Sequence, residues 1–205
     1  VGANAWSQEL AKVLQASGTE VIVADTSYRR LRPSREAGLD IFLGEVLSED
    51  AELKLDHARF SSVVALSTND SYNALVCSHF APEVGRHMVY QLSLSEGEDI
   101  EDRGLSQRAR GRTLIRRGRT YDGLIRDQYR GWSFSRTKLS EKYSLAQFRA
   151  ERPQADIIAE FRPDGSLTMI GPNRDPRGGD GAILISFAPE SEQVEPLAPE
   201  PAGFD

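Results

Sequence analysis

The chain has 205 residues, 27% of them charged and 39% hydrophobic, and a net charge of −6. This is an ordinary globular composition with room for one large or two small domains, and its acidic balance argues against the chain as a whole being a nucleic-acid binder. The single cysteine, Cys77, excludes an internal disulfide framework and fits a reducing, cytoplasmic setting, while no apolar run approaches the roughly 20 residues of a membrane span and no signal-peptide pattern opens the chain.

Gly2 reads as the turn that follows a β-strand. A strand of about 5 residues normally precedes such a turn and only Val1 stands there, so the sequence reads as a fragment cut inside its first strand, with further polypeptide upstream. Trp6, Leu10, Val13 and Leu14 then recur at helical spacing, and Gly18 stops that helix. Residues 20–24 form a buried strand ending at Asp25. Residues 27–37 fit a helix, although Pro33 disfavours regular geometry there. A short strand at 41–43 ends at Gly44 and Glu45. Ser48 caps a helix running through Leu53 and Leu55 to His57. An apolar strand at 63–66 ends at Ser67, Thr68 and Asn69. Asp70 is expected to cap the helix carrying Tyr72, Ala74, Leu75, Val76 and Phe80, and residues 87–92 are the next strand. Strands alternating with helices over short connections predict an α/β fold, a Rossmann-like doubly wound parallel sheet, for residues 1–94.

Residues 95–119 read as a charged linker. Glu96, Glu98, Asp99, Glu101 and Asp102 precede a run rich in arginine, and residues 103–130 hold nine Arg against Asp122 and Asp127, a local charge of +7. A domain–domain ion network, contact with anionic lipid or an acidic transporter surface, and nucleic acid are the three readings of that run. Residues 120–188 read as a small α+β module. A helix carries Tyr121, Leu124, Ile125 and Tyr129, a strand covers 134–139, and a short helix lies around 145–148. Strands at 156–161 and 167–170 flank the hairpin signal Arg162-Pro163-Asp164-Gly165, and a last strand covers 182–187. The two modules are expected to be separable, with the linker charges orienting them. Residues 189–205, acidic and proline-rich, are expected to be disordered.

A Rossmann phosphate loop usually reads G-x-G-x-x-G between a strand and a helix. The six positions here are Gly2, Ala3, Asn4, Ala5, Trp6 and Ser7, so only the first glycine is kept. Asn4 tolerates positive φ better than most residues, and Ser7 is small enough for close packing. Asp25, with Thr26 after it, ends the second strand 23 residues beyond Gly2, where an acid accepts hydrogen bonds from ribose hydroxyls. Glu45 and the run Ser67, Thr68, Asn69 face the same crevice beyond the carboxyl ends of the strands. The plainer reading makes Gly2 a tight turn and Asp25 a loop acid in a fold that binds nothing.

The segments Gly2-Ala3-Asn4-Ala5, Val21 to Asp25, Ala37-Gly38-Leu39 with Gly44-Glu45, and Ala65 to Asp70 followed by Asn73 resemble those of RCK domains. These are also called TrkA-type NAD-binding domains and belong to bacterial monovalent-cation transporters. The resemblance covers residues 1–92 and, loosely, 120–187, in the layout of the cytoplasmic region of cation/proton antiporters. It implies a regulatory domain rather than an enzyme, binding NAD(H), AMP, ADP or ATP. It also implies a homodimer on the cytoplasmic face of the membrane, gating a transmembrane transport domain encoded upstream in the same polypeptide, with no nucleic-acid partner. An acid at Asp25 disfavours a 2′-phosphate, so NADP is expected to bind less well than NAD. An NAD-dependent oxidoreductase and a degenerate Rossmann scaffold used only for assembly remain open alternatives.

His57, His79 and His87 lack metal-ligand spacing and read as surface or helix-end residues. Cys77 lies on the apolar side of its helix as a core thiol. No nucleophile elbow is present, and no Walker-type lysine follows the glycine turn.

Overall fold

A computed structural model describes residues 1–92, 110–116 and 118–190. The acidic run at 96–102, Arg103, Arg108, Arg117 and the tail beyond 190 lie outside the described residues. Helix α1 spans Ala5–Gln15, followed by β1 (Ile22–Asp25), α2 (Tyr28–Glu36), β2 (Asp40–Leu43), α3 (Glu49–Lys54), a 3₁₀ turn at His57–Arg59, β3 (Val63–Ala65), α4 (Asp70–Val84) and β4 (Val89–Gln91). Strand β1 pairs in parallel with β2, and β3 with β4. Val1 and Gly2 join the two pairs. The Val1 ammonium donates to the Val64 carbonyl at 2.7 Å, the Leu66 N–H donates to the Val1 carbonyl at 2.8 Å, and the Gly2 N–H donates to Ala24 at 2.8 Å. The order across the fold is therefore β2, β1, Val1, β3, β4: the doubly wound parallel arrangement expected for this half, with the switch point at Val1 and Gly2.

The expected linker contributes a strand of its own. Strand β5 (Arg112–Thr113) adds in parallel to β4. Gly111 lets this segment in: its N–H donates to Gln91 Oε1 at 3.0 Å, and a Cβ there would stand 2.4 Å from Cys77 Sγ. Cys77 is buried, and burial pushes its thiol up to about 11, so it is an inert core group.

The second module comprises α5 (Tyr121–Tyr129), β6 (Trp132–Lys138), α6 (Leu145–Glu151), β7 (Asp156–Phe161), β8 (Leu167–Met169) and β9 (Ile183–Pro189). Its sheet is antiparallel in the order β6, β9, β7, β8. Residues 162–165 turn the β7–β8 hairpin as the Pro-Asp-Gly sequence predicts, with the Gly165 N–H donating to the Arg162 carbonyl at 2.9 Å. Among the described residues no helix is long and apolar enough to cross a membrane.

Alternation along the parallel strands sends side chains to opposite faces. Ala24, Phe42, Val63, Ala65 and Val89 face α4 through Val76, Cys77 and Phe80. Val23 pairs instead with Ala11, Leu31 and Leu39 of the α1–α2 side. Leu66, Tyr90 and Leu92 join a third core, in which Trp6, Leu10 and Leu14 of α1 meet Leu124, Ile158, Ile185 and Phe187 of the second module. The second module is thus a layer laid over α1 and the β3–β5 half of the sheet. Its backbone is stitched on as well, through the Ile115 N–H donating to Ile170 at 2.9 Å. The two modules meet across this apolar layer. A shared apolar core holds them, and salt does not screen apolar burial as it screens charge.

Candidate functional site

The carboxyl ends of β1, β2 and β3 converge around the turn before α1. Gly2 has φ 96°, and a Cβ there would stand 2.9 Å from the backbone of Leu66 and Ser67. The first glycine of the phosphate-loop pattern is kept because backbone passes against backbone at this point. Asn4 does not need positive φ, contrary to expectation: it is extended at φ −135° and is the N-cap of α1. Its carboxamide accepts from the Ser7 N–H at 2.9 Å and donates to the Leu66 carbonyl at 3.0 Å. The Ser7 hydroxyl oxygen in turn accepts from the Asn4 N–H at 2.9 Å, and the hydroxyl donates to the Gly2 carbonyl at 2.8 Å. Side-chain bonds within the loop and to the end of β3 thus stand where the pattern has its second and third glycines. The amides of Ala5 and Trp6, the first two of α1, have no partner among the described residues, so they are the orphan donors of a helix N-terminus.

Asp25 closes the β1 side. Its carboxylate accepts from the Ala3 N–H at 2.9 Å and the Ser27 N–H at 2.8 Å. The Arg30 guanidinium also grips it, Nε reaching both oxygens at 3.0 Å and Nη2 reaching Oδ1 at 2.6 Å. Burial pushes the Asp25 carboxyl up, but Arg30 and the two amides outweigh that and hold it below its ordinary range. The loop, the acid and the start of α2 are therefore locked into one unit.

The other expected residues fall around this unit. Thr26 and Thr68 are exposed. Glu45 accepts from the Leu47 N–H and from the Tyr72 hydroxyl, and burial followed by this bond pushes the Tyr72 phenol well up. Asn69, rather than Asp70, caps α4, its side chain accepting from the Tyr72 N–H at 3.0 Å. Ala3 is buried beneath the loop, and Ala5 is exposed. Trp6 needs a correction. Only 1% of it is exposed, and its ring lies 5.1 Å from Phe134 and 6.0 Å from Phe187. Its side chain fills the inter-module core, and only its amide belongs to the crevice. Among the described residues no cluster of three or more metal-ligating side chains occurs.

Residues 1–94 match the sequence profile of the TrkA-N domain. The first 94 residues are a TrkA-N domain. A search of curated proteins found no match. Among solved structures, one described as a GsuK channel bound to NAD resembles the chain at 15% identity, over 93% of this chain and 37% of its own, with a TM-score of 0.45. A crystal structure of the GsuK RCK domain does so at 14% identity, over 83% of this chain and 44% of its own, with a TM-score of 0.26. The chain spans less than half the length of either.

Within the TrkA-N domain, Ser67 and Asn73 form the end wall of the crevice. The buried Asn73 carboxamide accepts from the Ser67 N–H at 3.0 Å and from its hydroxyl at 2.7 Å, and donates to the Ser67 carbonyl at 2.9 Å. Sequence reasoning missed Arg30 and Tyr72 as crevice residues. Arg30 is one arginine among Arg29, Arg32 and Arg35 of α2, and no spacing signal sets it apart. Tyr72 read simply as part of an apolar helix face.

Two arginines of the run, Arg116 and Arg119, are engaged in ion pairs. Arg116 and Arg119 reach the buried Asp156 carboxylate at 2.6 and 2.7 Å. Arg119 also pairs with Asp127 at 2.7 Å and lies 4.9 Å over the Trp132 ring. These pairs tie Arg116 and Arg119 to Asp127 and Asp156 of the second module.

Proposed function

We propose that the TrkA-N domain is a nucleotide-sensing regulatory unit of a monovalent cation/proton antiporter or related cation transporter. The observation that carries this is the crevice itself: two unpartnered α1 amides stand beside a buried acid at the end of the neighbouring strand. That pairing suits a pyrophosphate over the helix N-terminus and a ribose on Asp25. NAD(H) fits both features, and the NAD recorded in the GsuK channel supports it; AMP, ADP and ATP offer the same ribose and phosphate chemistry. The domain acts by regulation rather than by turnover. It works as a homodimer at the cytoplasmic face of the membrane, coupled to a transmembrane transport domain in the same polypeptide. Bound nucleotide favours one arrangement of the dimer over another, and it shifts that equilibrium only by its difference in affinity for the two.

Isothermal titration with NAD, NADH, AMP, ADP and ATP tests this reading. At least one nucleotide is expected to bind wild type. Asp25→Ala is expected to weaken it by about 1–3 kcal/mol, the scale of hydrogen bonds to a charged group. No heat with any of the five removes the proposal.

A further inference from the structure

Asp25 is already fully engaged. An ionised carboxylate offers about four lone-pair sites. Here the Ala3 amide, the Ser27 amide and the two-nitrogen fork of Arg30 take them up. A ribose diol that is to bond Asp25 must displace one of these donors. The two amides are fixed in the loop and at the start of α2, and Asp25 is only 9% exposed. The Arg30 side chain is 57% exposed and comes from the first turn of a surface helix, so it can swing away. It is also the one donor able to re-pair with an incoming anion, because a guanidinium fork matches phosphate oxygens as well as carboxylate oxygens.

We propose that Arg30 is the specificity-determining residue of the crevice: an internal competitor that a nucleotide with a free 2′-hydroxyl must displace from Asp25, and a binding partner for one carrying a 2′-phosphate. This rests on reading the crevice as a nucleotide site, and it changes what the acid alone implies. An unpaired Asp25 would repel a 2′-phosphate. The Asp25–Arg30 pair has no net charge and presents a guanidinium at the same place. Arg30 therefore lowers affinity for NAD and raises it for NADP, narrowing the preference that the acid would otherwise impose.

NAD and NADP titrated calorimetrically against wild type, Arg30→Gln and Arg30→Lys test the inference. Wild type is expected to bind the two within about tenfold of each other. Arg30→Gln is expected to tighten NAD severalfold and weaken NADP at least about tenfold, roughly the effect of one charge-assisted contact. Arg30→Lys, which keeps the charge without the fork, is expected to fall between them. Thermal melts of both variants check that the fold is intact. If both nucleotides bind and their affinity ratio is the same in wild type and Arg30→Gln, Arg30 is a bystander: the inference is overturned while the crevice remains a nucleotide site. If neither nucleotide binds wild type or Arg30→Gln, the nucleotide reading fails and takes the inference with it.

Discussion

Among the described residues, two buried aspartates, Asp25 and Asp156, are gripped by arginine, and they are built in opposite ways. Asp156, at the start of β7, is fully buried and held by Arg116 and Arg119, and Arg119 is itself clamped by Asp127 and Trp132. Asp25 leans on two backbone amides and on one arginine that is largely in solvent. Burial is the leading influence on both carboxyls. At Asp156 it wins, and the carboxyl is raised despite both guanidiniums; at Asp25 the hydrogen bonds win, and the carboxyl is lowered. A buried acid with a clamped partner is architecture. A buried acid whose charged partner can leave is a site that a ligand can enter.

Trp6→Ala opens the layer between α1 and the second module, and is expected to cost about 3–5 kcal/mol in denaturant unfolding. A loss below about 1 kcal/mol would mean the modules are held by something other than this core. At the junction, Arg119→Ala leaves Asp156 buried with one cation. It is expected to cost about 3 kcal/mol, at the low end for a broken buried pair because Arg116 remains. At the crevice, Arg30→Gln is expected to change unfolding stability by no more than about 1 kcal/mol, because that pair is partly exposed. Equal losses at Arg119 and Arg30 would erase the distinction between a fixed and an exchangeable pair.

Acid titration sharpens the same contrast with a smaller effect. The folded-state pKa of Asp25 lies below its ordinary value of 3.8. Its contribution to stability is therefore present above that value and lost as pH falls through it to the lower folded value. Asp156 is raised above 3.8, so it has the opposite sign: stability falls as pH climbs from 3.8 through the raised value. Asp25→Asn is expected to flatten the acid limb of the stability curve. An acid limb unchanged by that substitution would show that Asp25 gains nothing from its partners.

Much of the parallel half was legible in the sequence. Its strands are short apolar runs, and turn or cap residues such as Gly18, Gly44 and Ser48 mark the boundaries. The crevice residues Gly2, Asp25 and Ser67 could be found because a doubly wound sheet places strand ends together. Strand β5 escaped because two residues, one of them Arg112, carry no periodicity. The insertion of β9 between β6 and β7 escaped because long-range pairing leaves no local trace. Trp6 illustrates a conflict between two signals: its spacing with Leu10 and Leu14 pointed to the core, while its place in the loop pattern pointed to the ligand. The core signal was the right one for the side chain. Asn4 misled for a related reason, since the pattern suggested positive φ where a capping box needs extended backbone.

In the proposed site, nucleotide sits between the α1 amides and Asp25. Amide resonances followed by NMR during titration with NAD test it most directly. The amides of Ala3, Ala5, Trp6 and Ser27 are expected to shift together and saturably, while the Trp6 indole N–H, sealed in the inter-module core, stays put. Shifts confined to the second module, or none at all at saturating NAD, would contradict it.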